Sequence, residues 1–351
     1  MKGFGMHAIN DVGWIEKEAP KAGPLDAILR PLAVAPCSSD THISHGGGGP
    51  MTDRILGHES VGEVVEVGNL VKSFKPGDKV IVNCCTPDWE APLLQDRFDN
   101  NAHDRGFTAS FKFCMQKDGV FAEYYHVNNA DANLFPLPDD ISIEDALMTT
   151  DMMSTGFHAV ENAEIHYGDN VVVFGIGPVG LMAVAGSALM GCGRLFAIGT
   201  RPNCVALAKE YGATDIVSYK EGDIVQQILD LNHGQVDKVI LAGGGGESFA
   251  QALQLVRPNG VISNVNFLDP MDNISFSTIL WGLGMSNVSF RCGFCPGGAR
   301  RIERLVRMIQ ADRVHPGKLL NYKFEGFDKI EDAFHLMDTK PKDLIKPYVL
   351  I

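Results

Sequence analysis

Side chains that can bind a metal ion are grouped in two short segments near the start of the chain. Residues 37–42 read CSSDTH, and His58 and Glu59 follow in the motif GHE. Cysteine, histidine and carboxylate are ligands of Zn²⁺, and a catalytic zinc site uses three of them and leaves one position open. A buried thiol and a structural histidine would give the same pattern, so these residues alone leave both interpretations open.

A glycine motif in the middle of the chain predicts a second kind of chemistry. Residues 175–180 read GIGPVG, directly after the apolar run 171–174 and before a segment with a helical pattern. In that context G-x-G-x-x-G binds a dinucleotide, because the glycines let the backbone approach a pyrophosphate and the helix N-terminus offers unpaired N–H groups. A glycine-rich turn without a ligand is the alternative. The alternating strands and helices that follow favour dinucleotide binding.

The end of the next strand indicates which dinucleotide is bound. NAD sites usually carry Asp or Glu about 20 residues after the first glycines, whereas this strand ends in Gly199, Thr200 and Arg201. A planar arginine cation suits a 2′-phosphate, which a carboxylate would repel. We therefore predict NADP, the alternative being that Arg201 is a solvated residue at a helix start.

The elements that must position these residues differ between two parts of the chain. The first 150 residues or so are expected to be β-rich, with strands at 25–36, 61–67 and 79–83 and an irregular lobe at 86–118. Beyond about 152, strands and helices alternate, which implies a doubly wound parallel sheet of the Rossmann type. The predicted strands are 170–174, 195–198, 215–217, 237–241 and 261–265, and the predicted helices are 181–190, 201–211, 223–231 and 248–256. A helix at 300–309 and a strand at 348–351 complete the prediction.

Composition excludes several classes of protein. A chain of 351 residues predicts two domains. Its net charge of −13, without a Lys/Arg-rich run, argues against nucleic-acid or anionic-membrane partners. Residues 171–193 are uncharged, but Pro178 and six glycines indicate a strand, a turn and a helix rather than a membrane span. With eight scattered cysteines and no secretory signal at the start, we expect a cytoplasmic protein in a reducing compartment.

Several motifs together resemble one enzyme family. Residues 57–68 (GHESVGEVVEVG) resemble the zinc motif of the medium-chain alcohol dehydrogenases, and residues 171–181 resemble their cofactor motif. The resemblance runs from Met1 to Ile351 and is closest to the NADP-dependent secondary-alcohol dehydrogenases. That subgroup is indicated by residues 36–42, 86–89, 151–158, 199–202 and 340–346.

The resemblance implies a fold and a metal site. It implies an α/β protein in which a Rossmann domain (153–296) is inserted into a β-rich, GroES-like catalytic domain (1–152 and 297–351). Cys37, His58 and Asp151 would bind one catalytic zinc, with Glu59 as a candidate fourth ligand. Asp151 could instead be only the N-cap of a helix beginning at Met152.

No structural zinc is expected. The lobe 86–118, where relatives often carry four cysteines, has only Cys114. Cys84 and Cys85 are adjacent, and two adjacent cysteines cannot readily serve one tetrahedral site. Cys295, in a lone C-x-x-C, is expected to line the substrate pocket or to pack in the core.

By the same resemblance, the protein would interconvert small secondary alcohols and ketones by hydride transfer, with zinc stabilising the alkoxide as a Lewis acid. Ser39 and His42 would relay the proton to solvent, although His42 could be a plain surface histidine. The expected cofactor contacts are Ile176, Gly177, Pro178, Val179, Gly199, Thr200, Arg201, Tyr219, Val265, Asn266, Phe267 and Lys340. The expected pocket residues are Cys84, Phe111, Phe267 and Cys295. A homotetramer is implied. The alternatives are a polyol or amino-alcohol dehydrogenase of the same superfamily and a zinc-less NADPH-binding reductase.

Overall fold

A computed structural model of the chain describes residues 1–92, 94, 110–268 and 273–351, so part of the lobe 86–118 lies outside the described residues. These residues divide into two compact units. We call Met1–Ser154 with Phe294–Ile351 the terminal unit, and Thr155–Gly293 the central unit. Each has its own cluster of buried apolar side chains.

The strands and helices are numbered in chain order. The strands are β1 Lys2–Ala8, β2 Asp11–Glu16, β3 Ala27–Val34, β4 Arg54–Ile55, β5 Ser60–Val67, β6 Lys79–Val82, β7 Tyr125–Val127, β8 Leu134–Pro136, β9 Val171–Phe174, β10 Leu195–Ile198, β11 Asp215–Val217, β12 Val236–Leu241, β13 Val256–Asn264, β14 Ser289–Cys292, β15 Leu320–Glu325 and β16 Lys346–Leu350. The helices are α1 Ser38–His42, α2 Ala130–Asn133, α3 Ile143–Thr149, α4 Met152–Ala163, α5 Pro178–Leu189, α6 Pro202–Glu210, α7 Ile224–Asn232, α8 Glu247–Leu255, α9 Ala299–Gln310 and α10 Ile330–Thr339.

The terminal unit is β-rich, and its larger sheet brings three chain segments to one edge. The strand order is β15-β16-β3-β5-β6-β8, with β7 beside β3, and a smaller sheet has the order β2-β1-β4. In the larger sheet Val34 pairs with Ser60, and Ser60 pairs with Val82. The residues just after β3, just before β5 and just after β6 therefore lie side by side.

The central unit is a parallel sheet in the order β11-β10-β9-β12-β13-β14. Counted within the unit this is 3-2-1-4-5-6, the Rossmann order. Helices α5 and α6 contact each other, as do α7 and α8, which is the pairing expected of a sheet covered on both faces. The predicted fold class, a Rossmann-type sheet in one unit and a β-rich fold in the other, is confirmed.

The uncharged stretch 171–193 forms β9, a turn and α5. Within the ranges that the structure describes, no helix combines the length and the apolar character needed to cross a bilayer.

Candidate active site

Four side chains expected to bind metal meet in the terminal unit. Cys37, His58, Glu59 and Asp151 each offer one ligand atom, and these atoms lie within 4.8 Å of one another. His58 Nε2 is 3.3 Å from Asp151 Oδ2 and 3.9 Å from Glu59 Oε1, and Cys37 Sγ is 3.8 Å from Asp151 Oδ2. All four residues are buried.

The larger sheet explains why these residues meet. Cys37 follows β3, and His58 and Glu59 precede β5, so the pairing of the two strands brings both segments to the same edge. Asp151 lies directly before α4. Its turn is tied to the end of β6 by the hydrogen bond from Cys84 N to Thr150 O, 2.9 Å long.

Asp40 orients the cluster, a role that its place in the sequence had not predicted. Its Oδ1 accepts hydrogen bonds from His58 Nδ1 at 3.0 Å and Gly57 N at 3.1 Å, and its Oδ2 accepts from Cys37 N at 2.9 Å. Because an ionised carboxylate only accepts, Nδ1 of His58 carries the proton of this bond and Nε2 faces the cluster. The spacing Cys-x-x-Asp at a helix start resembles the capping box Ser/Thr-x-x-Glu/Gln and could have indicated this role.

The cluster is rich in buried negative charge. Burial raises the pKa of Glu59 to about 7, although Lys346 opposes the shift. Lys346 is itself fully buried, and its Nζ donates to Glu59 Oε1 at 2.7 Å and to Pro36 O at 3.1 Å. Burial lowers the pKa of His58, but the carboxylates of Asp40 and Asp151 outweigh it and raise that pKa well above its ordinary value.

The same cluster leaves one buried oxygen unsatisfied. Glu59 Oε2 has no hydrogen-bond partner within the described part of the chain. A thiol, an imidazole nitrogen and two carboxylates, one with an unpaired buried oxygen, are a donor set that fits Zn²⁺.

The two residues expected to relay a proton lie on the helix that follows Cys37. Ser39 Oγ is 3.7 Å from Cys37 Sγ, and His42 ends α1 in a half-buried position. Their relay role stays a prediction.

Three of the four expected pocket residues lie beside the metal-binding cluster. The ring of Phe111 meets His58 edge-on, with centroids 5.0 Å apart, and Cys84 Sγ is 3.7 Å from Asp151 Oδ1. Cys295 Sγ lies 3.6 Å from Cys84 Sγ. Phe267 belongs to the central unit, where it follows β13.

In the central unit the glycine motif forms the turn between β9 and α5. Gly175 has φ +80°, and Gly177 is the N-cap of α5, with Pro178 in its first turn. A Cβ at Gly180 would lie 1.8 Å from Gly175 O, so only glycine fits there. Apart from the neighbours of Gly177 in the chain, the described atom nearest to a Cβ at this position would be Arg201 Nη2, 3.8 Å away. Among the described residues, the space at this helix N-terminus is therefore open.

The other expected cofactor residues of the central unit lie at the same edge of the sheet. Gly199 packs so closely on Ile176 that a Cβ there would lie 2.2 Å from Ile176 Cγ1, and Thr200 Oγ1 donates to Tyr219 Oη at 2.7 Å. Val265 and Asn266 follow β13 and bond to Leu241 O and Gly244 O. Dinucleotides bind at this carboxyl edge in Rossmann folds. Lys340 lies in the terminal unit, at the C-cap of α10.

Comparisons with known proteins match two family models and several full-length relatives. Residues 23–139 match the family model for the alcohol dehydrogenase GroES-like domain, and residues 178–311 match the model for zinc-binding dehydrogenase. The NADP-dependent isopropanol dehydrogenases of Clostridium beijerinckii and Thermoanaerobacter brockii are each 53% identical over 353 residues, covering 100% of both chains.

A solved structure shares the fold over the full length. Alcohol dehydrogenase TADH from Thermus sp. ATN1 superposes with a TM-score of 0.87 at 27% identity, covering 100% of this chain and 99% of that chain. The sequence identity, the two family models and the metal-binding cluster lead to one conclusion: the chain belongs to the zinc-type alcohol dehydrogenase family.

Proposed function

We propose that the protein is a zinc- and NADP-dependent dehydrogenase that interconverts small secondary alcohols and ketones. One observation carries the proposal: the buried cluster of Cys37, His58, Glu59 and Asp151 occurs in a chain that is 53% identical, over its full length, to NADP-dependent isopropanol dehydrogenases. The zinc-less reductase is disfavoured because the full set of metal donors is present.

In this proposal Cys37, His58 and Asp151 hold zinc, with Glu59 as a candidate fourth ligand in the resting site. When bound there, zinc supplies the Lewis acidity that polarises the oxygen of the alcohol or ketone. Asp40 keeps Nε2 of His58 directed at the cluster. Lys346 holds one oxygen of Glu59 and leaves the other available.

The proton that leaves the alcohol needs a path out of a buried site. Ser39 Oγ lies beside Cys37 Sγ, and His42 is at the far end of the same short helix and half-buried. A hydroxyl can accept and donate a proton at once, and a histidine titrates near neutral pH. Ser39 followed by His42 is therefore our proposed relay.

The cofactor site rests on the carboxyl edge of the central sheet. Ile176, Gly177, Pro178 and Val179 form the turn for the pyrophosphate, where NADP supplies the hydride acceptor and NADPH the donor. Gly199, Thr200, Arg201 and Tyr219 would hold the adenosine end, with Arg201 and Lys340 binding the 2′-phosphate. Val265, Asn266 and Phe267 complete the proposed contacts.

The residues beside the cluster favour a small apolar substrate over a polyol. Phe111, Cys84 and Cys295 present an aromatic ring and sulfur atoms, and none of them has a hydroxyl, carboxyl or amide group that could bind extra hydroxyls. Discrimination for a hydroxyl requires such polar partners.

The count of one catalytic zinc and no structural zinc is also a proposal. Cys114, the only cysteine of the lobe 86–118, directs its Sγ at Gly57 O, 3.2 Å away, and at Asp40 Oδ1, 3.7 Å away. The homotetramer and the cytoplasmic location rest on the family resemblance alone.

The test compares initial rates with NADP and NAD on propan-2-ol, butan-2-ol, sorbitol and threonine, with the zinc content of the same preparation measured. We expect turnover of the two simple alcohols with NADP, at least about tenfold lower kcat/KM with NAD, and about one zinc per chain. If the enzyme turned over sorbitol or threonine but neither simple alcohol, the proposed substrate class would be wrong, and the polyol or amino-alcohol dehydrogenase would take its place. Activity in protein that contains almost no zinc would support the alternative hypothesis of a zinc-less NADPH-binding reductase.

A further inference from the structure

Three cysteines that the proposed reaction does not use as ligands form a compact group of sulfur atoms. Cys84, Cys85 and Cys295 are each at most 3% exposed. Their Sγ atoms are 3.6 Å apart for Cys84 and Cys295, 3.9 Å for Cys85 and Cys295, and 4.0 Å for Cys84 and Cys85. We call this group the trithiol cluster. All three cysteines are free, and their atoms lie together as those of a metal site do.

The distances between the three Sγ atoms match those expected for one metal ion bound by three sulfurs in a plane. Sulfur atoms at these three distances lie on a circle with a radius of about 2.2 Å, close to the metal–sulfur bond of about 2.3 Å in zinc–thiolate sites. An ion at the centre would bond to all three sulfurs with almost no movement of the side chains. Adjacent cysteines fit poorly in a tetrahedral site, but here a third sulfur completes a triangle with them.

The backbone around the trithiol cluster is held in place. Cys85 N donates to Asn83 Oδ1 at 2.8 Å, and Cys84 N donates to Thr150 O at 2.9 Å. On the other side, Gly297 lies so close that a Cβ there would be 2.4 Å from Cys85 O. The segment carrying Cys295 is therefore packed directly against the Cys84–Cys85 segment.

A buried cation, Arg301, is linked to the trithiol cluster through two residues, Ser154 and Asn83. Arg301 donates to Ser154 Oγ at 3.2 Å and to Ser154 O at 2.6 Å, and the same hydroxyl accepts from Asn83 Nδ2 at 3.2 Å. The amide oxygen of Asn83 is 3.8 Å from Cys84 Sγ and 3.9 Å from Cys295 Sγ. This positive charge offsets part of the negative charge that deprotonated thiols would bring.

The donor set selects the kind of ion. Thiolates select soft cations such as Cu(I), whereas Mg²⁺ and Ca²⁺ require oxygen ligands. Zinc prefers four ligands, and the group of metal-binding side chains found here contains three sulfurs and no imidazole or carboxylate. A planar set of three thiolates suits a monovalent, closed-shell ion.

We propose that Cys84, Cys85 and Cys295 form a second metal site that binds Cu(I) in trigonal coordination. Binding replaces up to three S–H bonds by three Cu–S bonds, releases the protons to solvent and changes no oxidation state. Cys84 Sγ is 3.7 Å from Asp151 Oδ1, so the bound ion lies beside the zinc-binding cluster. Occupation of the site should therefore inhibit the enzyme without removing its zinc.

The test uses the zinc-loaded, reduced enzyme under anaerobic conditions. Cu(I), added as its acetonitrile complex, is titrated in competition with a chromophoric Cu(I) chelator, and copper and zinc are counted after gel filtration. We expect about one Cu(I) per chain to resist the chelator, with zinc content unchanged and activity lost. Cys85→Ser should weaken copper retention at least tenfold, and the control Cys204→Ser, a buried cysteine of the central unit, should retain it.

Three results would overturn the proposal: no retained copper, copper that displaces zinc one for one, or full retention by Cys85→Ser. Zinc content and circular dichroism show whether each variant is folded, and Cys295→Ala provides a second substitution. If both variants misfold, X-ray absorption at the copper edge of the unsubstituted enzyme identifies the atoms that bind the copper. Three sulfur neighbours support the site, and nitrogen or oxygen neighbours contradict it.

Discussion

At the scale of single residues, the zinc-binding cluster depends on a carboxylate that is not a ligand. Asp40 binds the ring of His58, the backbone of Gly57 and the backbone of Cys37 together. It thereby fixes both the tautomer of the histidine and the position of the cysteine. Such partners of metal ligands contribute strongly to metal affinity.

We expect Asp40→Asn to lower zinc affinity about 10- to 100-fold, because the amide no longer fixes the proton on Nδ1 of His58. Competition with a zinc chelator measures this directly. Asp223→Asn is the matched control, since Asp223 caps α7 in the central unit and accepts from Val225 N at 2.8 Å. Equal zinc affinity in the two variants would show that Asp40 does not position the ligands.

The sequence allowed some residues of the site to be predicted and not others. Cys37, His58, Glu59 and Asp151 could be named because they stand in motifs that can be recognised locally, and the structure brings them together. The trithiol cluster could not be foreseen, because Cys295 is 210 positions from Cys85 and only the fold joins them.

At the scale of elements, the central unit was the easier part to predict. Parallel strands buried on both faces are continuous apolar runs, and the strands 195–198 and 215–217 have the predicted bounds. The helix predicted at 181–190 begins earlier, at Pro178, because proline is already set for the first helical turn.

The N-terminal hairpin of β1 and β2 was missed for a physical reason. Its glycines carry no apolar pattern, and the two glycines of β1 are required by close packing on β4, about 50 residues further along the chain. A Cβ at Gly5 would lie 2.1 Å from Arg54 O, across the pair of β1 and β4. Sequence periodicity cannot reveal such a non-local contact.

Two glycine substitutions in the turn between β9 and α5 distinguish its role in cofactor binding from its role in the fold. Gly177→Ala adds a methyl group into open space at an ordinary φ of −72°, so the free energy of unfolding should change by less than about 1 kcal/mol. The same methyl group would obstruct the pyrophosphate, and we expect KM for NADP to rise at least tenfold.

Gly180→Ala is the structural counterpart of this substitution. The added Cβ would lie 1.8 Å from Gly175 O and force the turn to move, at a cost of about 1–3 kcal/mol. Thermal unfolding and NADP kinetics on both variants give the comparison. An unchanged KM in Gly177→Ala would rule out that the phosphates lie at this helix N-terminus.

At the scale of the whole molecule, zinc is assigned to the terminal unit, and NADP is assigned to the central unit apart from its proposed contact with Lys340. The proposed zinc ligands all belong to the terminal unit, and the glycine turn belongs to the central unit. Because each unit has its own apolar core, each ligand should stabilise the unit that binds it. A ligand present at 1,000 times its Kd stabilises the folded form by about 4 kcal/mol.

The three tryptophans allow this to be measured unit by unit. Trp14 and Trp89 lie in the terminal unit, where their Nε1 atoms donate to Glu331 and Asn133, and Trp281 lies in the central unit. Trp281→Phe therefore leaves reporters for the terminal unit alone. The double variant Trp14→Phe/Trp89→Phe leaves one reporter for the central unit.

We expect removal of zinc by a chelator to lower the thermal unfolding midpoint that fluorescence reports in Trp281→Phe. The midpoint of the double variant Trp14→Phe/Trp89→Phe should not change. Saturating NADP should raise the midpoint of the double variant and change that of Trp281→Phe much less. Stabilisation follows the unit that binds the ligand because a ligand favours only the folded form that it contacts. Equal shifts in both variants with either ligand would show instead that the two cores unfold as one cooperative unit.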